Sequence, residues 1–387
     1  MTRSGGVTDP VQLDREIAAL LTRIEDPDPT AAARALGSLA RRCNQIGRPD
    51  LARRYFDRAA MLAPEEPTML RSLGLAMFGD GLWEEGLALY DQARWHLAEF
   101  QKFRRDFPHP EWGGEDVAGK HMLLWAEQGI GDQIMQARVI AQLRAAGAEI
   151  TVECDPRLHP LLARSFPGIA CAVQTVALPP QLVQGAYDFH GSLFSAWRWA
   201  DLPRSPGAYM TPDPKVTSAI RRAWDRQGWP LNVGVSWRSA AAARGGDRTL
   251  PHDALVPILR QPGVTFHSLQ YDTDAQEIAA INRLAGQPLW RVADLDARND
   301  IDRLAAVVAS LDLVISTDNV TVHIAGAVGT PCWVMLPMGC DWRWGWTEER
   351  PSLYDSLRLF RNRTGGWTSV LVDVVCALED WVGDRET

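Results

Sequence analysis

The sequence of 387 residues predicts an α/β protein in which α-helical repeats precede two Rossmann-like domains. Three observations carry that expectation. The first hundred residues align on themselves at a shift of 34, and short apolar runs alternate with amphipathic segments from residue 119 onward. A proline-rich stretch then divides those alternating segments into two similar sets.

The self-alignment pairs Leu36 with Leu70, Leu39 with Leu73, Ala40 with Gly74 and Cys43 with Met77, then Ala52 with Gly86, Phe56 with Tyr90 and Ala59 with Ala93. Small residues recur where two helices approach and large ones where they fill the gap, so each unit reads as a helical hairpin. A further helix is expected at 11–24. The first hairpin ends at Pro64, whereas the second runs through Ala98 into "EFQKFRRD", which predicts a capping or docking helix. These residues resemble tetratricopeptide repeats, two of them in register. Two units bury little alone, so the array is expected to pack against the rest of the chain, either holding a partner or acting only as a buttress.

In the alternating region "KHMLLWAE", "AEITVEC" and "YDFHGSL" read as strands, with "QGIGD" a turn and "QIMQARVIAQLRAAG" and "PRLHPLLARSF" helices. Residues 203–217, with Pro203, Pro206, Pro212 and Pro214, read as a linker. Beyond it "NVGVSW", "VTFHSLQ", "DLVIST" and "PCWVMLP" read as strands, with helices at about 273–285, 300–311 and 320–329. The expected domains are therefore helical repeats over 1–110, one Rossmann-like domain over 111–212 and a second over 213–387. Ligands of such sheets bind at the carboxyl ends of the strands, here in the cleft between the two domains.

Composition narrows the classes of function. Hydrophobic residues make up 46% and charged ones 23%, as in globular proteins, and a net charge of -8 argues against nucleic acid or an anionic membrane as partner. No apolar run approaches the roughly 20 residues of a membrane helix, and "MTRSGGVTDP" has no apolar core for a signal peptide, so a cytoplasmic protein is expected. Six cysteines without CxxC spacing are assigned to packing rather than to zinc or disulfides. Sixteen tryptophans, several in "DWRWGW" at 341–346, are assigned to core and interdomain packing.

The candidate site lies at strand ends. In "WAEQGIGDQ", Gly129 and Gly131 would turn the backbone tightly and expose amides at a helix N-terminus, while Asp132 adds a carboxylate; Asp132 as a simple helix cap is the alternative. The turn lacks the full GxGxxG pattern of nicotinamide dinucleotide sites. In "DLVISTDNVTVHIAG" a strand ends in Ser316, Thr317 and Asp318 and a helix begins at once, with Asn319 at its start and His323 one turn inside. Hydroxyls and amides converging there suit the sugar and diphosphate of a nucleotide. Arg238, Arg244 and Arg248 follow another strand, where guanidinium groups could neutralise a departing diphosphate; ordinary surface arginines are the alternative. Glu127, beside the first turn, is a reserve base or a structural partner.

The segments "AEQGIGDQIMQAR", "GVSWRS" with "DRTLP", "RNDIDRLAAVVASLDLVISTDNVTVHIAGAVGTPCWVMLP" and "DWRWGW" occur in the same order as in bacterial tetratricopeptide-repeat proteins whose C-terminal domain is similar to glycosyltransferase family 9, which includes the lipopolysaccharide heptosyltransferases. The resemblance covers roughly residues 30–380. It implies a GT-B fold, no metal, no cofactor beyond a nucleotide sugar as co-substrate, and a final helix, around 368–383, crossing back to the first Rossmann-like domain. Asp132 matches the proposed base of that family, and Asp318 and His323 match its nucleotide-site turn. Two departures stand out: Val320 replaces a usual glycine, and the family's lysine near the first strand of the second domain has no counterpart. The implied activity is an inverting, metal-independent glycosyl transfer in which Asp132, or Glu127, takes a proton and Arg244 or Arg248 steadies the leaving nucleotide. The acceptor would be a flagellin-like protein or a glycan. A non-catalytic repeat scaffold with a degenerate transferase domain, and a nucleotide-sugar epimerase, are the alternatives.

Overall fold

Proline at the first or second helical position, where its missing N–H costs nothing, opens three of the front helices in the computed structural model, which describes residues 10–200, 207–239 and 246–386. The helices run α1 (Pro10–Arg23), α2 (Pro29–Gln45), α3 (Pro49–Leu62), α4 (Pro67–Gly79), α5 (Trp83–Arg94) and α6 (Ala98–Gln101). They belong to one compact unit, Met1–Arg104 with Pro337–Glu348 and Arg363–Gly366. Helix α2 packs on α3 and α4 on α5, as hairpins do. Gly74 and Gly86, both at small positions of the repeat, set the spacing of the second hairpin. A Cβ on Gly74 would lie 2.7 Å from the Gly86 carbonyl oxygen, and one on Gly86 would lie 2.9 Å from that of Gly74.

The expected run-on helix after the second hairpin is not continuous. Helix α5 ends at Arg94, and Leu97, with φ -97° and ψ 129°, is extended before the single turn of α6. The tryptophans of 341–346 are packing residues of this same unit. Trp342 lies 4.8 Å from the Phe78 ring and 5.8 Å from Trp83, while no Cβ fits at Gly79 beside Trp346.

The second unit comprises Arg105–Leu336, Glu349–Asn362 and Trp367–Thr387. Its first half runs β1 (His121–Trp125), α7 (Ile130–Gln136), α8 (Arg138–Ala145), β2 (Glu149–Cys154), α9 (His159–Ser165), β3 (Ala170–Val173), α10 (Pro180–Val183) and β4 (Phe189–Ser192). Its second half runs α11 (Pro214–Arg226), β5 (Asn232–Ser236), α12 (Val256–Leu259), β6 (Thr265–Ser268), α13 (Ala275–Ala285), β7 (Leu289–Arg291), α14 (Ile301–Val308), β8 (Leu313–Thr317), α15 (Val320–Val328), β9 (Cys332–Leu336), β10 (Leu357–Arg361) and α16 (Thr368–Glu386). Two wholly parallel sheets result, ordered β3-β2-β1-β4 and β10-β9-β8-β5-β6-β7. Strands β5, β8 and β9 are buried along their whole length, as continuous apolar runs covered on both faces require.

Four expectations change. The single helix expected after the glycine turn is two, meeting at Ala137. The expected linker ends earlier: Asp213 caps α11 through bonds to the Lys215 and Val216 amides, and Pro214 opens that helix, while Pro203 and Pro206 lie outside the described residues. Strands β3, β7 and β10 have no counterpart among the expected strands. Among the described residues the final helix packs on the six-stranded sheet instead of the first. Val370, Leu371, Val374, Leu378 and Val382 of α16 belong to the core of the six-stranded sheet, with Val233, Phe266 and Met335, because that apolar stripe covers a face its own sheet would otherwise leave open.

Candidate functional site

In the six-stranded sheet the chain runs from β5 outward through β6 and β7, then returns to the other side of β5 with β8. The crevice outside the carboxyl ends of β5 and β8 is therefore a topological switch point, where ligands of such sheets sit. Asn319 and Gln270 brace it. The Asn319 amide donates to Ser236 Oγ (2.7 Å) and the Arg238 carbonyl (3.1 Å), while its oxygen caps α15 at the Thr321 amide (2.9 Å) and accepts from Ser316 Oγ (3.3 Å). Gln270 Oε1 accepts from the amides of Trp237 (2.9 Å) and Arg238 (2.8 Å) and from Ser236 Oγ (3.1 Å). Asn319 and Ser316 thus tie strand ends together instead of reaching outward.

At this crevice Arg248 Nη1 lies 3.2 Å from Asp318 Oδ2, both side chains largely buried. The sequence nominates the two separately; the fold joins them. The hydroxyls of Thr317 and Thr321 are buried here with no hydrogen-bond partner among the described residues, a feature that marks room for water or a ligand group. Thr321 is an addition that the sequence alone does not single out. Val320, the departure from the family pattern, is the first residue of α15.

Arg238 does not join this group. Its guanidinium is taken by Glu277 (2.8 and 3.4 Å) and by the carbonyls of Asp272 (2.9 Å) and Tyr271 (3.4 Å), and Glu277 also engages His252 Nε2 at 2.9 Å. A carboxylate within reach outcompetes solvent for a guanidinium, so Arg238 is a brace. Arg244 lies outside the described residues.

Beside the crevice, outside the carboxyl ends of β6 and β7, a cavity of about 300 Å³ is lined by Ser268, Gln270, Tyr271, Arg291, Asp296 and Asn299 among others. Ser268 Oγ is buried without a hydrogen-bond partner among the described residues. The three residues of β7 give too little pattern to reveal this cavity from sequence.

The four-stranded sheet has its own switch point, between β1 and β4. Here Gln128 adopts φ 66°, a left-handed conformation uncommon for a residue with a side chain, of the kind that strained turns at functional sites retain. Neither glycine of the turn needs positive φ. Gly129 is the extended cap of α7 (φ -84°, ψ 168°), and Asp132 Oδ2 accepts from its amide at 3.1 Å. Gly129, not Asp132, is the N-cap of α7, and Asp132 closes the turn from the third helical position. Glu127 is buried and turned toward β4, where its Oε1 accepts from Ser192 Oγ at 2.6 Å.

Gly131 has a different task. A Cβ there would lie 2.8 Å from His323 Cδ2, so its bare backbone lets α7 and α15 meet. The two halves are tied again where Arg164 pairs with Asp302 and Arg157 Nη1 donates to the Arg298 carbonyl at 3.2 Å. Gly131 thus meets His323 and Arg248 meets Asp318, while Arg238, Ser316, Asn319 and Glu127 are engaged by neighbouring strands and helices.

A comparison with protein families finds no match. Among curated proteins, FlbA of Caulobacter vibrioides is 30% identical over 350 residues, which cover 86% of this chain and 56% of FlbA. The chain thus spans about half the length of that relative. Among solved structures, the family 9 glycosyl transferase of Veillonella parvula is 12% identical, covering 64% of this chain and 88% of its own, with a TM-score of 0.47. The Escherichia coli ADP-heptose lipopolysaccharide heptosyltransferase II is 15% identical, covering 69% and 100%, with a TM-score of 0.48. A mutant of Thermobaculum terrenum O-GlcNAc transferase is 14% identical over 98% of this chain and 91% of its own, with a TM-score of 0.35.

Proposed function

We propose that this chain is a metal-independent, inverting glycosyltransferase that moves a sugar from a nucleotide-sugar donor to a protein or glycan hydroxyl. In this reading the two parallel sheets form a GT-B pair, and the front hairpins are tetratricopeptide-like repeats that recruit the acceptor. The observation that carries it is the Arg248–Asp318 pair at the β5/β8 switch point, beside two buried threonine hydroxyls with no partner among the described residues and the cavity outside β6 and β7.

The donor's nucleoside fills that cavity, where Ser268 Oγ and Asn299 offer hydrogen bonds. Its diphosphate lies across Arg248 and the first amides of α15, which favour negative charge. Asp318 accepts from a sugar hydroxyl, which places the anomeric carbon toward the glycine turn. Asp132 takes the acceptor's proton as its oxygen attacks that carbon from the face opposite the leaving diphosphate, and the negative charge left on the diphosphate is met by Arg248. A positioned carboxylate base contributes about 10² to 10⁴-fold. No helix among the described residues is long and apolar enough to cross a membrane. Work in the cytoplasm, where nucleotide sugars are made, fits this reading.

The cap that Asp132 provides to its own turn favours a second reading, a scaffold that binds a nucleotide sugar without turning it over. One experiment separates the two: the purified chain is given UDP-, GDP-, ADP-, dTDP- and CMP-sugars, and release of free nucleotide is followed with and without protein and glycan acceptors. The transferase reading expects release that falls at least roughly a hundredfold in Asp132→Asn with donor binding retained. Binding without release, unchanged by that substitution, establishes the scaffold, and label appearing in protein or in carbohydrate decides the acceptor.

A further inference from the structure

Along the front hairpins most arginines near the α2/α4 seam are matched by a carboxylate: Arg42 pairs with Glu16, and Arg34 with Glu66 at 3.9 Å. Arg41 on α2 and Arg71 on α4 form no ion pair among the described residues. Arg41 Nη2 donates to Ser38 Oγ at 3.0 Å, and Ser38 gives its own hydrogen to the Arg34 carbonyl oxygen at 2.9 Å, so the Arg41 side chain is held along α2. Its guanidinium lies where the two hairpins meet. A Cβ on Gly37 would stand 3.7 Å from Arg41 Nη1 and 2.9 Å from the sulfur of Met69, which belongs to α4.

Arg71 follows on that same helix and is the counterpart of Gly37 at the 34-residue shift, so it occupies the matching face of the second hairpin. Its guanidinium lies over the Phe100 ring at 4.9 Å, and its Nε is buried with no hydrogen-bond partner among the described residues. A ring beneath a guanidinium covers its face and leaves the N–H groups of its edge to bond in plane, the geometry that suits a carboxylate. Phe103 lies 6.4 Å from Phe100 and carries Lys102 Nζ over its own ring at 4.8 Å, so cations and rings alternate here. Burial, then the like charges of Arg71 and Arg42, hold the Arg41 pKa below its ordinary value. Cations kept together against their own repulsion are relieved by an anion shared between them. We infer that Arg41 and Arg71 form a docking site for an acidic segment of a protein, whose carboxylates bridge the two guanidinium groups. The net charge of -8 on the whole chain repels a polyanion such as nucleic acid, which leaves a short run of carboxylates as the matching partner.

That the segment belongs to the acceptor of glycosyl transfer rests on the transferase reading; the site does not. The test is fluorescence anisotropy of the full chain with a labelled peptide of alternating glutamate and alanine. The wild type is expected to bind it, to release it as salt rises and to ignore the matching glutamine peptide. Arg41→Gln with Arg71→Gln should weaken binding at least roughly tenfold, the share of charge-assisted contacts to carboxylate. Arg54→Gln with Arg58→Gln removes the same charge from exposed positions of α3 and is expected to bind as the wild type does. Arg41→Gln alone relieves a repulsion, so its urea midpoint is expected not to fall. No binding of the glutamate peptide, equal losses in the two double variants, or a lowered midpoint in Arg41→Gln overturns the inference. So does an oligonucleotide that competes as well as the peptide, or a dimer in light scattering that the Arg41 and Arg71 substitutions dissolve, which assigns the face to a second copy. With transfer measured, the same double substitution raises the KM for a protein acceptor at least roughly tenfold. Absence of transfer in every variant refutes the transferase reading and leaves the peptide result standing.

Discussion

Replacing Gly131 with alanine places one methyl group against the ring of His323. The new Cβ would sit 2.8 Å from Cδ2, 3.4 Å from Nε2 and 3.5 Å from Cγ. Carbon atoms in contact settle at about 3.5 to 4.0 Å, so the ring or α7 must give way by ~0.7 Å. The ring has little room, being buried and bonded to Tyr354, which is itself wedged against Gly326. Overpacking of this kind costs about 1 to 3 kcal/mol, and the better helix propensity of alanine offsets up to about 1 kcal/mol. A net loss of about 1 to 2 kcal/mol is expected in the denaturant midpoint. Turnover should fall much further, on the order of a hundredfold, because reacting groups displaced by near an ångström lose their alignment. Gly129→Ala is the control for stability: among the described residues its Cβ meets only Asp132 Oδ2, at 3.3 Å, and its backbone is extended, so it should cost less than about 1 kcal/mol. A Gly131→Ala protein as stable and active as the wild type would refute the close-approach argument, as would equal effects of the two substitutions.

Asp318→Ala removes the counter-charge of a largely buried arginine, so it should lower stability by roughly 2 kcal/mol, less than a fully buried pair would lose, and abolish donor binding in a calorimetric titration. His267 is stacked on Trp224 (4.2 Å, 23°) and bonded to Asn232 (2.9 Å), and burial lowers its pKa from 6.5 to about 4. A depressed imidazole means that the unfolded chain binds its proton first, so this stabilising share is whole above pH 6.5 and is lost as pH falls toward 4. The loss is about 3 kcal/mol by linkage, and His267→Gln should flatten that part of the urea-midpoint profile. Truncation before α16 exposes Val370, Leu371, Val374, Leu378 and Val382, each worth about 1.5 to 3 kcal/mol buried; the shortened chain should be insoluble or unfolded by circular dichroism.

Strong periodicity was legible in the sequence and weak periodicity was not. The continuous apolar runs of β1, β5, β8 and β9 gave their strands, and the 34-residue spacing marked Gly74 and Gly86 as small positions, which the fold then brings together. The four-residue β3 and three-residue β7 carry too few positions to show a period, and the nucleoside-sized cavity beside β7 is hidden with them. Residue type named Asp318, Arg248 and His323 but could not say which way a side chain turns. Arg238 faces Glu277 because α13 brings that carboxylate near, a contact 39 positions away in sequence. Glu127 is likewise claimed by Ser192 on a neighbouring strand, 65 positions away. The helical stripe of α16 showed that the helix buries a face, yet only the fold shows which sheet receives it.

The proposed donor site at the β5/β8 switch point depends on Arg248 and Asp318. Isothermal titration of the wild-type chain and of Arg248→Ala with UDP-, GDP-, ADP-, dTDP- and CMP-sugars tests it most directly. One of these donors is expected to bind the wild type with one-to-one stoichiometry, its nucleoside diphosphate to compete for the same site, and Arg248→Ala to weaken binding at least roughly tenfold, the share of a charge-assisted contact to phosphate. Binding that is undiminished in Arg248→Ala, or no binding by any of the five, contradicts it.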